Sequence, residues 1–121
     1  MEKFDLFKKA KAIIDQNPKF KLEAYAFVLS GLEFTMKKMK QSRHVTGQEL
    51  SLGLKEYALD QFGPMAKTVL QQWGITATLH FGEIVFLLID AGLMRKTETD
   101  TLADFTNVYD FDSAFTVAYD L

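Results

Sequence analysis

The sequence contains no cysteine, only two histidines and only two prolines. Without thiols there is no disulfide framework, no thiolate metal site and no cysteine nucleophile. His44 and His80 form no HxxxH pair, so a zinc site would have to rest mainly on carboxylates, which zinc seldom does. The acidic stretch TETDTLADF lacks the alternating ligands, central glycine and closing glutamate of a calcium loop. Ser30, Ser42, Ser51 and Ser113 stand in no GxSxG context, and neither a P-loop nor a dinucleotide-binding glycine pattern occurs. FGPMAK has Gly, Pro and Lys without the glycine spacing that cradles phosphate, and reads as a corner between helices. No catalytic residue, no cofactor and no metal ligand is therefore expected. Long apolar runs are missing too. IVFLLIDAGLM is too short for a bilayer and includes Asp90, and the first twenty residues interleave charge with apolar side chains, unlike a secretory leader. The expectation is a cytoplasmic chain that makes no membrane contact.

What is present is globular composition: 121 residues, 48% hydrophobic and 25% charged, without repeats or a Gly/Ser/Pro-rich linker. That is enough for one core, and residues 1–121 are read as a single domain. The net charge of −2 is unevenly spread. Residues 1–61 hold eleven basic against eight acidic side chains, and residues 62–121 hold three against eight. The basic excess lies at Lys8, Lys9, Lys11, Lys19 and Lys21 and in KKMKQSRH. Solvated helix faces account for it. The functional alternative is an anion or nucleic-acid contact made by Lys37, Lys38, Lys40, Arg43 and His44, the last two beside a helix start.

Periodicity predicts a first helix over 4–16, with Phe4, Phe7, Ala10, Ile13 and Ile14 on one face, ended by Asn17-Pro18. A second runs over 22–40, with Tyr25, Val28, Leu29, Leu32, Met36 and Met39 as its stripe and Phe27 and Phe34 widening it. A helix apolar over so much of its circumference is central or covered by a second subunit. HVTGQEL reads as a helix start, with Thr46 as N-cap, Glu49 completing a capping box and Val45 stapled to Leu50. That helix presents Leu50, Leu54, Tyr57, Ala58 and Gln61 on one face, and Gly63-Pro64 ends it. The next, over 64–73, buries Ala66, Val69, Leu70 and Trp73, with Trp73 read as core; Gly74 closes it and Ile75 folds back on Leu70. Thr76 or Thr78 is expected to cap a helix reaching about residue 91, closed by Gly92 and Leu93. LMRKT then reads as a short strand, ETDT as a turn and LADFTNVYDF as an irregular or returning strand. Asp112 or Ser113 starts a terminal helix.

Helix, turn, helix, strand is the order of a winged helix, yet the second helix of that turn is a poor reader of DNA. LHFGEIVFLLIDAG is apolar on nearly all sides, and its charges, Glu83 and Asp90, share a face that repels phosphate. The turn is better taken as core architecture, and nucleic acid is not the expected partner. The tail DFTNVYDFDSAFTVAYDL interleaves Phe105, Tyr109, Phe111, Phe115 and Tyr119 with aspartates. Such a segment can dock on a partner, but an aromatic clamp over the chain's own core is the preferred reading.

YAFVLSGLEFT, RHVTGQEL, YALDQFGPMAKTVLQQWGI, FGEIVFLLIDAGLMRKTETD and VYDFDSAF together resemble a family of small bacterial proteins that bears a locus-tag label and no assigned function. The resemblance spans residues 25–115 and implies a stand-alone bacterial cytosolic protein, without supplying an activity. The expectation is a mainly α fold of about five to six helices with a short C-terminal β-hairpin and winged-helix-like order in the second half. The function expected is a non-enzymatic protein-interaction module, engaging a protein partner or itself. The alternative is a nucleic-acid-associated regulator that contacts backbone through Lys37, Lys38, Lys40 and Arg43. An enzyme using His44 with Glu49 is weaker still, because the cap already explains Glu49.

Overall fold

The computed structural model describes residues 8, 11, 12, 15, 18–39, 45–94 and 101–115. Of the first expected helix, Lys8, Lys11, Ala12 and Asp15 are helical and exposed, and its apolar face lies outside the described residues. Labelling from there, α1 is Leu22–Met39, α2 is Gly47–Phe62, α3 is Ala66–Gln72, α4 is Thr78–Asp90 and α5 is the single turn Phe111–Ala114. A 3-10 turn, Gly63–Met65, joins α2 to α3, and another, Leu102–Phe105, precedes α5.

The helix ends follow local chemistry. Thr46 Oγ1 accepts from the Glu49 amide at 3.1 Å and Glu49 Oε1 accepts from the Thr46 amide at 3.0 Å, so the expected capping box forms. Gly63 closes α2 at φ 53° with its amide on the Leu59 carbonyl. At the end of α3 the Ile75 amide bonds Leu70 O at 2.9 Å and the Gly74 amide bonds Gln71 O at 3.0 Å, with Gly74 at φ 95°. This is a Schellman turn, and it recurs after α4, where Leu93 bonds Leu88 O and Gly92 bonds Ile89 O.

The helices meet over one core. α1 turns Ala24, Tyr25, Phe27, Val28, Gly31 and Thr35 inward, so its buried face sits one step round from the expected stripe. Gly31 and Thr35 belong to it because α1 and α2 cross there: a Cβ on Gly31 would overlap Leu54 Cδ2. Leu54, Leu70, Ile75, Phe81, Ile84 and Leu88 are fully buried. Each such side chain withdrawn from water contributes about 1.5–3 kcal/mol against chain entropy.

The second half departs from expectation. Among the described residues there is no strand, and four helices exceed a single turn, so neither the C-terminal β-hairpin nor the count of five to six helices stands. Leu93 and Met94 complete the turn that closes α4, and residues 95–97 of the expected strand lie outside the described residues. Of the two readings of LADFTNVYDF, the returning strand does not form: the segment is the 3-10 turn Leu102–Phe105, irregular turn residues and the start of α5. With no strand among the described residues, the winged-helix order falls as well. The cause is local. Asp104 Oδ2 accepts from the Thr101 amide at 3.0 Å, and Asp110 Oδ2 accepts from the Ser113 amide at 3.0 Å. Each of these bonds takes a backbone amide that a ladder would need. Asp110, not Asp112 or Ser113, therefore starts the last helix.

The cap expected from Thr76 or Thr78 is also corrected. Ala77 is the N-cap of α4 and offers no side-chain oxygen. Thr78 is buried; its hydroxyl donates to Phe105 O at 2.6 Å and accepts from the Val108 amide at 3.1 Å. The residue taken for a cap is the rivet of the tail. Phe105, Phe111 and Phe115 are buried and Tyr109 OH donates to Ser51 O at 2.8 Å, so the tail closes the chain's own core. Tyr119 lies outside the described residues.

Candidate functional site

The expected basic contact is only partly placed. Lys37 pairs with Glu33 at 3.3 Å, one helical turn away, and Lys38 pairs with Glu56 of α2 at 2.9 Å. Exposed pairs of this kind add little stability. They do place a carboxylate beside each of the two cations. Lys40, Arg43 and His44 lie outside the described residues. Among the described residues no group of three or more His, Cys, Asp and Glu is placed to hold a metal ion, and no helix is long and apolar enough to cross a membrane.

A different feature emerges where α1, α2 and the end of α3 converge. Phe27 of α1 is buried, and three rings stand round it: Tyr57 at 5.3 Å, Trp73 at 5.8 Å and Phe62 at 6.1 Å between centroids. Phe62 and Trp73 meet edge to face at 81° and 5.6 Å, forming a corner. Tyr57, Phe62 and Trp73 are half-buried, so the rings enclose an open hollow of about 250 Å³. Glu23, Ser30 and Gln61 complete its rim. Phe34 lies 5.2 Å from Tyr57 and carries the ring surface on along α1.

Trp73, read as core, is thus a wall of a surface hollow, and Phe62 drew no attention in the sequence. A signal for both was available. Each stands immediately before a helix-closing glycine, Gly63 or Gly74, where the chain turns, and each is half-buried.

A second hollow, of about 290 Å³, opens at the start of α4 between Thr76, Ala77, Asn107 and Asp110. Beside it the Thr76 amide donates to His80 Nδ1 at 2.9 Å, so His80 acts as an acceptor there and the proton resides on Nε2. Burial against Phe20 and then the charge of Lys19 lower the His80 pKa below its ordinary 6.5, with Glu83 opposing. The unfolded chain therefore takes up this proton first. The contribution of His80 is complete above about pH 6.5 and is lost as pH falls through the lower folded value. Urea midpoints measured from roughly pH 8 to pH 5 should fall more steeply for the native chain than for His80→Asn. Parallel curves would show that folding does not lower the His80 pKa.

No protein-family model, curated protein or solved structure matches this chain.

Proposed function

We propose that this chain is a non-enzymatic protein-interaction module, set in the cytoplasm, whose partner sits on the aromatic face formed by Phe34, Tyr57, Phe27, Phe62 and Trp73. The observation that supports this is the continuous ring contact from Phe34 to Trp73, with centroids 5.2–6.1 Å apart and three of the rings round the hollow half-buried. Rigid aromatic side chains supply large contact area at low entropic cost, and they dominate the energetics of protein interfaces. The alternative, nucleic-acid backbone held by Lys37, Lys38, Lys40 and Arg43, is disfavoured because Glu33 and Glu56 already neutralise the first two.

The test is site-specific photocrosslinking in cells that express the full chain. With photoreactive benzoylphenylalanine in place of Tyr57, a discrete protein adduct is expected, and an adduct with a second copy of the chain would identify self-association. The same reagent at Asp90, outside the hollow, should give none. Equal labelling at the two positions, or none at Tyr57, would remove the proposal.

A further inference from the structure

We infer that the aromatic hollow receives an arginine side chain of the partner protein, an inference that rests on the interaction-module reading and specifies its chemistry. Size comes first. At about 250 Å³ the hollow is smaller than the ~300–1,000 Å³ typical of small-molecule and cofactor sites, and it suits one long side chain. Charge comes second. Every ring presents a negative π-face, Glu23 stands on the rim, and none of the lining residues is cationic. Among the described residues Glu23 forms no hydrogen bond or ion pair, while Asp60 is exposed beside Gln61 and accepts from its side-chain amide at 3.1 Å. A neutral apolar side chain would use the rings and leave this acidic rim unanswered. A cation answers both.

Geometry separates arginine from lysine. The Phe62–Trp73 corner offers flat faces at 81° to each other, onto which a planar guanidinium stacks. With one face of the guanidinium on a ring, its fork of N–H donors is directed outward, where the Glu23 carboxylate can accept two of them. An ammonium has neither the plane nor the fork. Arginine is also enriched at the energetic centres of protein interfaces, where lysine is depleted.

Trp73 is the sole tryptophan of the chain, so its emission reports on the hollow without labelling. The probes are short blocked peptides with one central arginine, lysine or citrulline between glycines, titrated into the purified full chain. The arginine peptide is expected to shift Trp73 emission saturably, with a Kd of about 1–10 mM. Citrulline keeps the shape and removes the charge, and should bind roughly fivefold more weakly or not measurably. Glu23→Gln, at an exposed position, should weaken the arginine peptide by a similar factor without altering the circular dichroism. Phe62→Leu, which removes one wall, should do so as well.

Equal affinity for arginine and citrulline, equal affinity for arginine and lysine, an unaffected Glu23→Gln variant, or no shift of emission would each overturn the arginine assignment. The two levels fail separately. A Tyr57 crosslink without arginine preference leaves the interaction module and removes the arginine; loss of the crosslink removes both.

Discussion

Replacing Phe105 by alanine is expected to lower the unfolding free energy by about 3–5 kcal/mol. The side chain is 3% exposed, and it lies on the helix-facing side of the 3-10 turn, against α4. Its ring fits there because residue 82 is glycine; a Cβ at that position would stand 2.7 Å from the Phe105 ring. Its carbonyl is held by the Thr78 hydroxyl, which also takes the Val108 amide. Truncation therefore removes the ring's transfer energy, opens a cavity against a helix too regular to collapse into it, and loosens the segment that Thr78 rivets. The rings that follow depend on that seat: Phe111 packs on Phe81 at 5.8 Å and on Phe115 at 5.0 Å. A chain of this length has a total stability on the order of 6–18 kcal/mol, so the loss is a large share. Urea denaturation of the variant should show it directly, and the melting temperature should fall by roughly 10–20 °C. A change under about 1 kcal/mol would mean that the tail is not part of the core, and would revive its reading as a free docking segment.

The tail also shows how far sequence reasoning reaches. Several local signals were legible where both partners sit within one turn. The Thr46–Glu49 box and the Gly74 and Gly92 closures belong to that class. The same local grammar was present at Thr101–Asp104 and at Asp110–Ser113, but it was outweighed by the β-branched and aromatic residues between them. Strand propensity is a statement about a side chain on a half-buried pleated surface, and among the described residues no neighbouring strand provides one. Long-range pairings were not legible at all. Thr78 is chemically as good a cap as Thr46, and only contacts 27 and 30 residues away make it a buried rivet. Lys38 finds Glu56 across two helices, which no spacing along either announces. The hollow was missed for a related reason. Amphipathic periodicity tells which rings face inward, whereas Phe62 and Trp73 sit at helix ends where the face is set by the turn.

The crossing of α1 and α2 offers a prediction whose sign depends on context. Alanine at Gly31 would gain about 0.5–1 kcal/mol of helix propensity in an isolated helix. In the folded chain its methyl overlaps Leu54 Cδ2, and Leu54 is fully buried with no open side to move toward. Overpacking of this kind costs about 1–3 kcal/mol, so Gly31→Ala is expected to destabilise on balance. Leu54→Ala alone should cost about 2–5 kcal/mol through lost burial and the cavity it leaves. In that background the atom that blocked the methyl is gone. Gly31→Ala then keeps its helical gain and fills part of the void, and should raise stability by about 1 kcal/mol. The double variant is expected to be more stable than Leu54→Ala, with an interaction term of about 2–3 kcal/mol measured by a four-corner urea cycle. Additivity within roughly 0.5 kcal/mol would mean that the two helices do not meet at Gly31. The aromatic hollow would then lose its geometry as well, because Phe27 on α1 and Tyr57 and Phe62 on α2 are brought together by that same crossing.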